Sequence, residues 1–321
     1  MSNLRKSHKC LFSAPYSFMP DIKEAYNSII PTIFREIWYR EEVEPDQSIT
    51  VWVVNPGQRF VIDETILGMF PRLSALVTPS TGRNHIDIKA CKERGVFVYS
   101  LLDKRELLEH ITASAEFTFL LVLNTLRRLD IGIKEVTERR WRMREDLLRG
   151  YELSGKKVGL VGLGRIGRKM ARYSKAFGAE VFYYDPYVED DKLSSLELEE
   201  LFAHCDIICI CCTLNEETKG MVDRALLEKL KKGACLINTS RGEVINENDL
   251  FGILKERDDI KVSLDVLSGE VNNTHLSSPL IELHKEGRIV ITPHIAGATI
   301  ESQRKAAEIA LKLIEEHINN I

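Results

Sequence analysis

The sequence predicts an α/β protein built on two doubly wound parallel sheets, and three observations carry that prediction. Short apolar runs alternate with longer amphipathic stretches along all 321 residues, the rhythm of parallel strands joined by crossover helices. The segment Val158-Gly-Leu-Val-Gly-Leu-Gly-Arg-Ile-Gly167 sets an apolar run directly against the spacing GxGxxG, halfway along the chain. Five strand candidates precede that segment and six begin with it, so two cores of comparable size are expected.

The first five strands are expected at 9–13, 34–39, 49–54, 75–78 and 96–99, and the next six at 158–161, 181–184, 207–212, 234–238, 262–265 and 289–291. Two helices join the halves. The stretch 113–129 is apolar on nearly every face, so it is expected to be buried between layers. The stretch 299–318 places Ala307, Ala310, Leu311, Ile314 and Ile318 at helical spacing. It follows the last strand with no further domain to enter, and is expected to return to the first lobe. The expected domains are therefore 1–112 with 297–321, a discontinuous lobe, and 113–296, inserted into it, with a cleft and hinge between.

Composition narrows the partners. With 44% hydrophobic and 29% charged residues and a net charge of −4, the chain gives no electrostatic case for nucleic acid or an anionic membrane. The longest uncharged apolar stretch, 117–126, is too short to span a bilayer and lies between Glu116 and Arg127. Arg5, Lys6 and Lys9 are followed by no apolar segment of signal-peptide length, so a cytoplasmic protein is expected. Cys205, Cys209, Cys211 and Cys212 cluster without paired CxxC spacing, in an apolar run that reads as a buried strand. Free cysteine packs there as a small hydrophobe, and no metal is expected.

The glycine segment carries the first functional signal. A strand, a tight turn at Gly162, Gly164 and Gly167, and a helix start let backbone N–H groups and the helix dipole hold a pyrophosphate. Arg165 and Ile166 fall inside that turn. Asp185 ends the next apolar run 23 residues after Gly162, placed to accept hydrogen bonds from an adenosine ribose. This half is thus expected to be a Rossmann domain. Its cofactor is expected to be NAD, because a carboxylate bonds the 2′-hydroxyl and repels a 2′-phosphate. Pro186-Tyr-Val-Glu189 and Asp190-Asp191 follow, with no Arg or Lys among them.

A nicotinamide passes a hydride, but carbonyl reduction also needs a proton donor and an anchor for the developing oxyanion. Such groups belong at the carboxyl ends of strands. Three candidates follow successive strands: Arg241 in Asn238-Thr-Ser-Arg-Gly242, Glu270 after the 262–265 run, and His294 in Thr292-Pro-His-Ile-Ala-Gly297. Taken singly, each is equally a turn or loop residue; their joint placement is what selects them.

With these blocks in view the chain resembles the D-isomer-specific 2-hydroxyacid dehydrogenase family. The resemblance runs from about Ala75 to Ala307 over Thr81-Gly-Arg-Asn-His-Ile-Asp87, Ala115-Glu116 with Arg127, Gly162–Gly167, Asn215-Glu-Glu-Thr-Lys-Gly220, Asn238–Gly242, Asp265-Val266 with Glu270, and Pro293–Gly297. It implies a flavodoxin-like substrate domain around the inserted Rossmann domain, with hydride transfer between NAD and C2 of a 2-oxo or D-2-hydroxy acid. Arg241 would grip the carboxylate and polarise the carbonyl, a task suited to its planar donor fork. His294 would be the acid/base and Glu270 its carboxylate partner, favouring the protonated imidazolium.

By the same resemblance Asp265, Thr239, Ser240, Arg241, His294 and Gly297 surround the nicotinamide end of the cofactor, with Thr213 a further contact. Thr81 and Gly82 would hold the substrate carboxylate through backbone N–H groups. The chain departs from the family pattern at Cys212-Thr-Leu214, in the charged stretch 100–114, and at Arg83, which is either a second-anion contact or a solvent-facing residue. The loop Pro15-Tyr-Ser-Phe-Met19 either faces the cleft, suiting a small or moderately apolar 2-oxo acid, or belongs to the core.

The resemblance further implies a homodimer through the NAD-binding domain. Two other readings stand beside the dehydrogenase: a short-form 3-phosphoglycerate dehydrogenase, and a non-catalytic NAD(H)-sensing regulatory protein of the same fold. The sequence stops after the crossover helix, so the regulatory domain carried by many phosphoglycerate dehydrogenases is expected to be absent. A formate dehydrogenase is disfavoured by Glu270. The particular 2-hydroxy acid is not readable from the sequence.

Overall fold

The computed structural model describes residues 8–320; Arg5 and Lys6 lie outside them. Twelve strands form two parallel sheets among the described residues. The first sheet contains β1 (Cys10–Phe12), β2 (Thr32–Phe34), β3 (Val51–Val53), β4 (Ala75–Thr78) and β5 (Phe97–Ser100), in the order β2-β1-β3-β4-β5. The second contains β6 (Lys157–Val161), β7 (Glu180–Tyr184), β8 (Ser194–Ser195), β9 (Ile207–Ile210), β10 (Cys235–Asn238), β11 (Lys261–Leu264) and β12 (Val290–Ile291). Its order is β12-β11-β10-β9-β6-β7-β8. Each order reverses once, between β1 and β3 and between β6 and β9, as in a doubly wound fold.

Compact units follow the sheets. One holds the residues up to Ile111, Glu270–Asn273 and Ala298 onward; the other holds Thr112–Gly269 and Thr274–Gly297. In the first, alternate side chains divide between two cores, as the period of two along a strand requires. Phe12, Val51, Val53 and Val77 face the helices Pro20–Ile29 and Ile300–Asn320. Leu11, Trp52, Val54 and Leu76 face Glu64–Gly68 and Ile88–Glu93. The last helix buries Ala307, Ala310, Leu313, Ile314 and Ile318 in this unit, and Tyr26 donates a 2.7 Å hydrogen bond to the Ala307 carbonyl.

The second sheet is built likewise. Leu160, Tyr183, Cys209 and Ile237 pack under the helices Ala113–Arg127 and Arg165–Ala176. Ile208, Ile210, Leu236, Val262 and Leu264 pack on the opposite side. No helix among the described residues is long and apolar enough to cross a membrane.

Three expectations shift. The second strand lies at Thr32–Phe34 rather than 34–39. The following residues instead bond past the end of β1, Arg35 N–H to the Phe12 carbonyl and Ile37 N–H to that of Ser13, before a 3₁₀ turn at Arg40–Glu42. β8 has only two residues, both exposed serines, and so carried no apolar signal. The Ala113–Arg127 helix buries Leu121, Val122 and Leu126 but leaves Leu120 in solvent; it stops where Arg128 turns left-handed at φ 55°.

Candidate active site

The strands β6, β7, β9, β10, β11 and β12 bring the glycine turn, Asp185, Thr213, Thr239–Arg241, Asp265 and His294 to one edge, the carboxyl end of the second sheet. The glycine turn follows β6, and two of its three glycines are required by packing. Gly162 has φ 97°, and a Cβ there would meet the Cys212 backbone nitrogen at 2.8 Å; one on Gly167 would meet the Gly162 carbonyl oxygen at 2.2 Å. Gly164 has nothing within 4 Å of where its Cβ would stand. It caps the helix Arg165–Ala176, so the open space lies before that helix's first turn, where a pyrophosphate needs unobstructed N–H groups. Arg165 and Ile166 form that first turn, both half-buried.

Asp185 stands at the end of β7, with one carboxylate oxygen accepting the Leu163 N–H (2.8 Å) and the other the Tyr187 N–H (3.0 Å). It therefore braces the glycine turn. A hollow beside it is lined by Asp185, Tyr187 and Glu189. Arg168, the cation in reach, is paired with Asp190. The setting is acidic, as 2′-hydroxyl selection requires. Thr213, after β9, is exposed, and its carbonyl accepts from Thr218 Oγ1 at 2.7 Å.

After β10 the chain makes a tight turn closed by one side chain. Asn238 Oδ1 accepts the Ser240 N–H and Asn238 Nδ2 donates to the Arg241 carbonyl, both at 2.9 Å. Arg241 is half-buried, with Nη1 donating to the Ser240 carbonyl at 2.7 Å. Gly242 is obligatory: a Cβ would stand 2.0 Å from the Leu267 backbone carbon. The arginine turn thus rests directly on the loop that follows β11.

Asp265, at the end of β11, is fully buried. Its Oδ1 accepts from the Thr292 hydroxyl and the Ile295 N–H, and its Oδ2 from the Ala296 N–H at 2.7 Å. Its own carbonyl accepts the His294 N–H at 2.8 Å. This one residue therefore clamps the whole 292–296 turn, in which His294 is exposed and left-handed at φ 56°. For a non-glycine residue that conformation is costly and has to be held by its surroundings. Burial pushes the Asp265 carboxyl above the usual range, against the opposing effect of the three donors and of the His294 charge. Gly297, one residue beyond the clamp, is exposed.

Glu270 is half-buried and grouped with the first unit, while Arg241 and His294 belong to the second. The loop after β4, in the first unit, carries the other predicted residues. There the Ser80 hydroxyl donates to the Gly82 carbonyl and Thr81 is half-exposed. Arg83 Nη2 contacts Ser100 Oγ and Asp103 Oδ2, each at 2.9 Å. Tyr16 and Phe18 are half-buried against the core, Tyr16 edge-on to Phe12 and Phe34.

The four clustered cysteines lie just before, on and just after β9. Cys205 and Cys209 are buried, Cys211 and Cys212 half-buried, and burial raises the Cys205 thiol to about 12 and the Cys212 thiol to about 11. Two contributors were not singled out from sequence, Asn238 and Thr292. Each is a hydrogen-bonding side chain inside a motif that had been read for its charged residue.

Residues 119–296 match the family model described as the D-isomer specific 2-hydroxyacid dehydrogenase NAD-binding domain. The chain belongs to this family. It is an oxidoreductase that uses NAD. It is 30% identical over 287 residues, 85% of the chain and 83% of the relative, to the glyoxylate reductase of Korarchaeum cryptofilum. It is 35% identical to that of Thermofilum pendens, over 78% of the chain and 74% of the relative. It is 32% identical to the D-3-phosphoglycerate dehydrogenase of Mycobacterium tuberculosis over 76% of the chain, but the match spans only 45% of that longer protein. Among solved structures, D-lactate dehydrogenase from Aquifex aeolicus, complexed with NAD and lactic acid, shares the fold. Its TM-score is 0.80 at 24% identity, over 98% of this chain and 96% of that one. These relatives do not favour the regulatory reading.

Proposed function

We propose that the protein reduces a small 2-oxo acid with a single carboxylate, of the glyoxylate or hydroxypyruvate kind, to the D-2-hydroxy acid. The observation that carries this reading is Arg83, the guanidinium of the substrate-side loop, already paired with Asp103. An arginine whose Nη2 already faces a carboxylate and a hydroxyl is a less open receptor for a phosphate or second carboxylate. Two relatives matched over most of their length, those of Korarchaeum cryptofilum and Thermofilum pendens, are named glyoxylate reductases, which supports the same choice.

In this mechanism the Thr81–Gly82 backbone and Arg241 hold the substrate carboxylate, and the Arg241 fork polarises the carbonyl. The reduced cofactor, NADH, would supply the hydride for C2 when bound. His294 gives its proton to the alkoxide oxygen as that hydride arrives, and takes it back in the oxidative direction. Glu270 stabilises the imidazolium. The Asp265 clamp fixes the imidazole-bearing turn before substrate enters, so little reorganisation remains for the reaction. The test is NADH oxidation against glyoxylate, hydroxypyruvate, pyruvate, larger 2-oxo acids and 3-phosphohydroxypyruvate. Preference for the phosphorylated acid would overturn the substrate assignment. Asp185→Ala should weaken NADH far more than NADPH, and equal losses would count against its role.

We infer also that two copies pair through the second unit, in the cytoplasm. The helix Leu129–Thr137 is inverted for a monomer: Glu135 is 2% exposed and paired with Arg140 and Arg144, whereas Leu129, Ile133 and Val136 face solvent. Trp141 and Met143, just beyond, are 76% and 77% exposed. Large apolar side chains gathered in this way mark an interface. Seven free cysteines with no disulfide among them suit a reducing compartment. Sedimentation should give a dimer, and a monomeric wild type would remove this reading.

A further inference from the structure

The turn after β10 carries two adjacent hydroxyls, and the structure treats them differently. Thr239 is buried, with its Oγ1 2.6 Å from Thr118 Oγ1 on the Ala113–Arg127 helix. Thr118 Oγ1 also lies 2.6 Å from the Ser114 carbonyl oxygen, which can only accept. A hydroxyl has one proton, so that of Thr118 goes to Ser114. The proton between the two threonines must then come from Thr239. Thr239 has spent its only donor on the helix.

Ser240 is the opposite case. Its backbone is fixed on both sides, N–H to Asn238 Oδ1 and carbonyl to Arg241 Nη1. Its hydroxyl oxygen, buried in the present rotamer, has no hydrogen-bond partner among the described residues. A buried polar group left so calls for a partner that arrives with function. The residue itself is half-exposed, and a serine hydroxyl swings between three staggered positions. Of the two, only Ser240 can turn a proton outward from a rigid backbone.

We infer that Ser240, not Thr239, is the hydroxyl presented to the nicotinamide end of the cofactor, as a donor to the carboxamide oxygen. Thr118 is a positioning residue that ties Thr239 into the fold. The inference rests on the placement of the nicotinamide at this turn, given above.

The test titrates the intact protein with NADH and, separately, with ADP-ribose, which lacks the nicotinamide. Ser240→Ala should weaken NADH about five- to tenfold, the loss of one hydrogen bond, and leave ADP-ribose unchanged. Thr118→Val should keep both ligands within about twofold of wild type while lowering the melting temperature, and Thr118→Ser should restore it. NADH binding untouched in Ser240→Ala, or a loss carried by Thr239→Val instead, would overturn the assignment. A loss of both ligands in Ser240→Ala would do so too. A wild type that binds NADH no more tightly than ADP-ribose would show that the nicotinamide makes no contact here, which removes the underlying placement.

Discussion

The carboxyl edges of the two sheets are held by different means. On the second sheet, polar side chains grip backbone: half-buried Asp185 holds the glycine turn, buried Asn238 the arginine turn and buried Asp265 the histidine turn. On the first sheet Asn55 grips backbone in the same way after β3, but the loops after β1 and β4 rest largely on side chains that hold one another: Tyr16 against Phe12 and Phe34, Arg83 against Asp103, Thr78 against Ser80 and His85. A backbone gripped from beneath keeps its shape whichever side chains it displays. A rim of mutually packed side chains changes with each substitution. The second edge is suited to fixed chemistry and the first to adjustable specificity.

The largest test of this contrast is His294→Ala, which should lower kcat by about 10²–10⁴-fold with NADH affinity near wild type. Retained turnover would end its role as proton donor. Asp265→Asn comes next. The amide puts a donor against backbone N–H groups, so unfolding in denaturant should show a loss of about 2–4 kcal/mol, with kcat reduced although the imidazole remains. A variant as stable as wild type would show that the clamp is not holding the turn.

Arg83→Met should act only on the adjustable edge, changing KM for glyoxylate by about threefold or less, since an exposed ion pair contributes little. The smallest effect is on pH dependence. Burial, and then the His8 charge, hold His317 below its ordinary value, between Ser74 Oγ (2.9 Å) and Tyr99 Oη (3.1 Å). The fold therefore prefers the neutral ring. Its contribution is complete above about pH 6.5 and declines as the pH falls below that toward the lower folded value. Melting temperatures between pH 7.5 and 5 should fall less steeply in His317→Gln than in wild type.

The fold was legible wherever strands were apolar on both faces, as in β4, β9 and β10, because burial from two sides leaves an uninterrupted signal. It was not legible at β2, whose three residues are all half-buried, or at the serines of β8. At the site, the charged residues stood out because Arg241, Glu270 and His294 follow successive strand candidates downstream of the cofactor motif. The side chains that hold them did not. Asn238 looks like an ordinary strand end, and Thr118 like an interruption in an apolar helix. Their partners, three and 121 positions away, become visible only once the chain is folded.

The cysteines have a consequence of another kind. Cys10 and Cys91 are sealed in the first unit, Cys205, Cys209 and Cys235 in the second, and all five are held as thiols by burial. A thiol reagent reaches such a group only when the sheet around it opens. Each unit therefore carries its own clock. Alkylation timed by mass spectrometry, with NADH present or absent, would show how much longer the nucleotide-binding sheet stays shut when its ligand is in place, with the other sheet as internal standard.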